Sequence, residues 1–134
     1  MFLTDAERAY LGTQRLGRLA TVTANGTVQN NPVAFFVNAE LGTIDIGGFR
    51  MGGTQKFRNV LANPEVAFVV DDIASLDPWR VRGVEFRGVA EALADVEPPA
   101  RNFSREVIRI HPRRILTWGL DEAGPMMSKR SVAG

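Results

Sequence analysis

Apolar and polar positions alternate with a period of two over most of this chain, the pattern of strands with one buried face. LGRLATVT (residues 16–23) is such a segment, followed by Asn25-Gly26, the strongest hairpin signal in the sequence. The returning strand is TVQNNPVAFFVN (27–38), and Pro32 within it predicts a bulge or an unpaired edge. A turn over 39–42 leads to TIDIGG (43–48), whose final glycines permit close backbone approach. EVAFVVDD (65–72) is a valine-rich run of strand length. After a loop containing Asp77-Pro78, WRVRGVEFRGVAEAL (79–93) sets Val81, Val84, Phe86 and Val89 among arginines, glutamate and glycines. Gly83 and Gly88 predict bends there in a strongly curved sheet. EVIRIHP and RRILTWG read as two further strands separated by Pro112.

Helical periodicity is confined to short pieces. Thr4-Asp5-Ala6-Glu7 is a capping box that opens a helix ending near Gly12. Thr54 is a second N-cap, Phe57, Val60 and Leu61 follow at helical spacing, and Asn63-Pro64 stops that helix. Pro98-Pro99 opens a brief polar segment of possible helix, and the tail from 121 carries weak signals, so it is expected to order only against a partner. There is no internal repeat or linker, and one domain over 1–134 is expected. Six or seven strands joined mostly as antiparallel neighbours, with two or three short helices, predict a mainly β fold closed into a compact barrel. Residues 33–37 and 66–70 are apolar on both faces, but a barrel buries only one. A homodimer covering an outer face, with clefts at the seam, is therefore expected.

Composition narrows the classes. Hydrophobic residues make up 45% and charged residues 23% of the 134, a globular balance. The net charge of +1 supplies no global field, so nucleic acid is not an expected partner despite the arginines and aromatic of VRGVEFRG. The absence of cysteine removes disulfides, thiolate metal sites and cysteine nucleophiles, and with one histidine no metal site is expected. No apolar run has membrane-span length, and MFLTDAERAYL lacks a basic flank ahead of an apolar stretch, so a soluble cytoplasmic protein is expected.

The candidate chemistry lies in GFRMGGTQKFRNVLANP (48–64). Lys56 and Arg58 fall near the start of the helix capped by Thr54, beside N–H groups without intrahelical partners, and Arg50 precedes the Gly52-Gly53 turn. Three cations at a positive helix end favour an anion, foremost a phosphate. A helix with an ordinary solvated basic face fits the same residues equally well.

Taken in order, LGRLATVTANGTVQNNPVAFFV, the strand ending in Gly47-Gly48, KFRNVLANPEVAFVVDD and DPWRVRGVEFRGVAEAL resemble the pyridoxamine 5′-phosphate oxidase-like split-barrel superfamily. Within it the likeness is to oxidoreductases that use the deazaflavin coenzyme F-420, and it covers about residues 17–119. The resemblance implies a dimeric six-stranded split barrel with the cofactor in a groove between protomers. It implies that Lys56 helps to hold the cofactor phosphate, with Arg58 and Asn59 at the next motif positions. It also implies that Gln29-Asn30-Asn31-Pro32-Val33 lies along the ring and that Trp79 borders the groove, often that of the other subunit. Arg50 and Thr54 flank the motif across the glycine turn. The glutamate-aromatic-tryptophan signature of true pyridoxamine phosphate oxidases, with its following arginine and histidine, is absent. A role in making pyridoxal phosphate is thus not expected.

Two cofactors remain open on this reading, coenzyme F-420 and FMN, since both present a ring and a phosphate. The expected activity is reduction of an unsaturated small molecule by cofactor hydride. The amides of Gln29 and Asn31 could meet a pyrimidine-like ring edge or simply project into solvent. No general acid stands out: Tyr10 lies on the first helix, and His111, placed before Pro112 at a strand corner, reads as a satisfied structural histidine. Solvent is then the proton source. Trp118 reads as structural. A non-catalytic flavin, deazaflavin or haem binder is the remaining alternative, with His111 as the one histidine available to a haem.

Overall fold

The computed structural model of the chain describes residues 1–121, 124 and 126–132. Helix α1 (Asp5–Leu11) starts from the predicted capping box: Thr4 Oγ1 accepts from Glu7 N–H and Glu7 Oε1 accepts from Thr4 N–H. Strands β1 (Leu16–Val22) and β2 (Val28–Asn38) form the hairpin across Asn25-Gly26, and β3 (Thr43–Ile46) returns beside β2. A 3₁₀ turn at Met51–Gly53 precedes α2 (Gln55–Ala62), which is capped by the Thr54 side chain on Phe57 N–H. Strands β4 (Glu65–Leu76), β5 (Trp79–Leu93), β6 (Val107–Trp118) and β7 (Met127–Ser131) complete the chain.

All pairings are antiparallel, in the order β3-β2-β1-β4-β5-β6-β7 with a further pairing of β3 to β6. Six strands therefore close on themselves. The edge of β6 that meets β3 at residues 108–110 carries β7 along 114–118. Leu19, Ile44, Ile46, Phe68, Phe86, Ile108, Ile110 and Ile115 fill the interior at full burial. Each such side chain contributes about 1.5–3 kcal/mol by leaving water. Phe57, Asn59 and Val60 are the buried face of α2, which packs against β1 and β5. Asp45 and Arg109 pair across the β3–β6 closure, and Asp45 also accepts from Thr43 and Asn38.

Several details depart from the sequence-based expectations. The segments on either side of Pro112 form one continuous strand, because a bulge on β6, where Arg113 is the extra residue opposite Arg87-Gly88 of β5, absorbs the irregularity. Gly88 is required there: a Cβ would lie 2.1 Å from His111 O, a backbone atom that cannot move aside. His111 accordingly sits within a strand, where its Nε2 meets Glu91 Oε1. Residues 98–106 form bends and turns and no helix. The tail orders within the chain as β7, fixed by Arg130, which donates to both oxygens of the buried Glu7 carboxylate and to Phe2 O. Pro32 lies on the part of β2 that extends past β3, so the unpaired-edge alternative holds. The outward residues Ala34, Phe36, Ala67 and Val69 remain half-exposed in one chain.

Candidate functional site

The outer face of β2, the end of β3 and the start of α2 enclose an open cleft of about 420 Å³, lined by Pro32, Val33, Ala34, the 47–51 segment, Thr54 and Lys56. Local sequence builds each wall. Gly47-Gly48 ends β3 and lets the chain turn sharply beside Pro99 and Phe103. Phe49 then projects at the lip, 71% exposed, held edge-on by Phe103 with ring centroids 5.1 Å apart. Thr54 is extended backbone with its hydroxyl turned to cap α2, so Lys56 falls in the first helical turn.

Lys56 is half-buried and makes no ion pair among the described residues. Burial pushes its ammonium pKa below the ordinary lysine value. Arg50 is exposed on the same cleft, also without a carboxylate partner among the described residues. A partly desolvated cation beside the first N–H groups of a helix is a favourable seat for an anion. The apolar surface of Phe49, Met51, Val33 and Ala34 continues from it and suits a flat ring.

Four of the eight candidate residues thus come together: Pro32, Arg50, Thr54 and Lys56. The others lie elsewhere in this chain. Arg58 is held by Gly53 O at 3.1 Å and Gln55 Oε1 at 2.9 Å. Gln29 and Asn31 share the face of β2 opposite Pro32 and Ala34, as strand alternation requires. Gln29 Oε1 accepts from Asn59 Nδ2 at 2.9 Å, and the same amide donates to Thr21 Oγ1 at 3.0 Å. Asn31 Oδ1 is buried and has no hydrogen-bond partner among the described residues. Trp79, 64% exposed at the start of β5, lies in a separate hollow of about 330 Å³ with Trp118, Gly119 and Met126. Trp118 packs over Gly83, in keeping with a structural role.

Sequence reasoning missed Phe49, whose signal was its position between the glycine pair and Arg50. It also missed Ser104 and Glu106, which no local pattern links to residues 48–53. A second cleft of about 650 Å³ adjoins the first, sharing Ala34 and lined by Leu11, Leu16 and Phe36. It is the larger of the two, but its Arg8 is already paired with Asp5. Tyr10 is likewise committed: its hydroxyl donates to Asp72 at 3.0 Å, and burial together with that bond raises its pKa well above the phenol range. No described helix is long and apolar enough to cross a membrane.

Comparison with known proteins matches this geometry to a family. The family profile of pyridoxamine 5′-phosphate oxidase covers residues 3–132. A 5a,11a-dehydrotetracycline/5a,11a-dehydrooxytetracycline reductase of Streptomyces rimosus is 50% identical over 122 residues, 90% of this chain and 86% of that protein. A solved structure described as an F-420 reductase superposes with a TM-score of 0.63 at 27% identity, over 84% of this chain and 98% of its own. A conserved hypothetical protein of Mycobacterium tuberculosis gives a TM-score of 0.70 at 25% identity, over 98% and 93%. With a family match running almost from end to end and a relative half identical to it, this chain belongs to the pyridoxamine 5′-phosphate oxidase family.

Proposed function

We propose that this chain, a single domain over 1–134 acting as a homodimer, is an oxidoreductase. In this reading it uses the reduced deazaflavin coenzyme F-420 as hydride donor to an unsaturated small molecule. The observation that carries the reading is Lys56: a half-buried cation without an acid partner among the described residues, at a helix start, on an apolar cleft. The reductase relative at 50% identity supports the reaction class, and the F-420 reductase at 27% supports the donor.

The residues present fit such a cofactor. Lys56 and Arg50 would hold the phosphate, with the Thr54 cap and the first N–H groups of α2 completing its seat. Pro32, Val33, Ala34 and Phe49 would flank the ring and exclude water from one face. Gln29 and Asn31 would act from the interior side of β2, stiffening the strand on which the ring rests. Bound there, the cofactor supplies the hydride; the protein supplies orientation and electrostatics. Protonation of the reduced acceptor is assigned to solvent, since Tyr10 and His111 are already engaged by Asp72 and Glu91.

By analogy with the dehydrotetracycline reductase, the acceptor would be an unsaturated molecule of the dehydrotetracycline kind, received in the adjoining cleft. A second copy would cover the outer face of β2, and Trp79, distant from its own cleft, would border that of the other copy. The second reading keeps the fold and site and replaces F-420 by FMN. Parallel titrations with both cofactors, each followed by assay of hydride transfer to dehydrotetracycline-like acceptors, test the proposal; tighter binding of FMN and no F-420-dependent turnover would overturn it.

A further inference from the structure

The turn that carries the cleft's cations is held from behind by residues far along the chain. Ser104 Oγ accepts from Met51 N–H at 2.9 Å and donates to Gly48 O at 3.1 Å, and Ser104 N–H donates to the same carbonyl at 2.8 Å. Glu106 Oε1 accepts from Gly52 N–H at 3.0 Å. Gly52 has room for this only because it lacks a side chain: a Cβ would lie 2.7–2.9 Å from Oε1, Cδ and Cγ of Glu106. Residues 48–52 are thus tied to 104–106 by four hydrogen bonds that local sequence does not encode.

The placement of Glu106 is unexpected on electrostatic grounds. Its carboxylate makes no ion pair among the described residues, yet it takes an amide one residue from the wall of a cleft suited to an anion. A negative charge there opposes a phosphate. It also occupies the Gly52 N–H, and Ser104 occupies that of Met51, so neither donor is open to a ligand. What remains for an anion is the other side: Lys56, Arg50 and the first N–H groups of α2, which have no partner within the helix.

We propose that Glu106, assisted by Ser104, is a positioning residue for the phosphate end of the cleft. It acts as a hydrogen-bond acceptor that fixes the 48–53 turn against α2, and it does not act as a charge. This deepens the cofactor reading above and rests on it. Three consequences follow from an acceptor role. A neutral isostere at 106 keeps the geometry and removes the repulsion. Truncation at 106 releases the turn and misaligns Arg50 with Lys56. A methyl group at position 52 displaces Glu106 and has the same effect from the opposite side.

The test compares dissociation constants for phosphorylated and unphosphorylated rings: FMN against riboflavin, and F-420 against the corresponding deazariboflavin. The proteins are wild type, Glu106→Gln, Glu106→Ala, Gly52→Ala, Ser104→Ala and Lys56→Met, each checked for a cooperative melt. Wild type is expected to prefer the phosphorylated ring by about tenfold or more. Glu106→Gln keeps or widens that preference. Glu106→Ala and Gly52→Ala each lose about fivefold of it, and the double variant loses no more than either single change. Affinity for the unphosphorylated rings stays within about twofold throughout, which a general loosening of the fold would not produce. If Glu106→Ala does not fold, Ser104→Ala carries the comparison, with a smaller loss in the same direction.

The proposal is overturned if Glu106→Ala, or in its place Ser104→Ala, keeps the full preference. It is equally overturned if Glu106→Gln loses as much as Glu106→Ala, since charge would then be what matters. Loss of preference in Lys56→Met alone removes this inference and leaves the cleft reading standing. No phosphate preference even in wild type removes both.

Discussion

Replacing Lys56 by methionine isolates the charge at the centre of the cleft while keeping an unbranched side chain of similar length. The ammonium is half-buried and its pKa is already lowered by desolvation, so the folded protein bears part of that cost before any ligand arrives. A charge-assisted hydrogen bond to phosphate is worth about 1.5–3 kcal/mol, and a contact whose desolvation is partly met in advance falls toward the middle of that range or above. About 2 kcal/mol corresponds to roughly a 30-fold rise in the dissociation constant of the phosphorylated cofactor. Stability should move the other way, if at all, because the variant no longer holds an unpaired cation out of water. Titration of wild type and Lys56→Met, read by intrinsic tryptophan fluorescence or calorimetry, gives the affinities, and urea unfolding gives the stabilities. An affinity change below about twofold with folding intact would mean that the phosphate is held without Lys56.

Three further outcomes follow. Cofactor affinity should fall as pH rises through the depressed pKa of Lys56, at lower pH than an ordinary lysine would give, and Lys56→Arg should carry binding to higher pH; a flat profile to the alkaline limit contradicts this. Burial alone would raise the Glu7 carboxyl, but bonds from Arg130 and Thr4 hold it below its ordinary value of 4.5. Its stabilisation is therefore complete above that value and lost as pH falls through the lower folded pKa. Glu7→Gln should cost about 1–3 kcal/mol at neutral pH and nothing at the acid end, as urea unfolding across pH would show. Gly88→Ala should cost more than about 3 kcal/mol, seen as a large fall in melting temperature or loss of soluble protein, whereas near-native stability would mean that the bulge can relax.

The parts of this protein legible in its sequence are those whose causes are local. Thr4 and Glu7 cap α1 through contacts three residues apart, and Thr54 with Asn63-Pro64 delimits α2 to within a residue. Asn25-Gly26 marks the first hairpin because Gly26 takes a φ of 89° that side-chain-bearing residues rarely adopt. Illegible elements depend on distant partners. β7 carries little strand signal of its own and is ordered by pairing with β6 and by Arg130 reaching Glu7 across 123 positions. Pro112 reads as a break, yet β6 runs through it because Arg113 is taken up as a bulge beside it and Gly88 on β5 leaves room for that backbone. The polar stretch after Pro98 resembles a helix start, but its Ser104 and Glu106 are used to bond the 48–52 backbone, which needs an irregular path.

At the site, the cations were readable because a helix start advertises itself through cap and stop residues. Which of them faces the cleft was not. Lys56 and Arg58 are two positions apart and so fall on different sides of a helix, and only the packing of Phe57 and Val60 decides which one meets the cleft. Gln29 and Asn31 depend on strand register in the same way: one alternation separates the cleft side of β2, with Pro32 and Ala34, from the side that bonds Asn59.

The decisive experiment is a crystal structure of the protein with F-420 and another with FMN. The cofactor phosphate is expected at the start of α2, with an oxygen about 3 Å from Lys56 Nζ and the ring along Pro32–Ala34. A phosphate bound in the hollow between Trp79 and Trp118, or anywhere out of reach of Lys56, would contradict this placement.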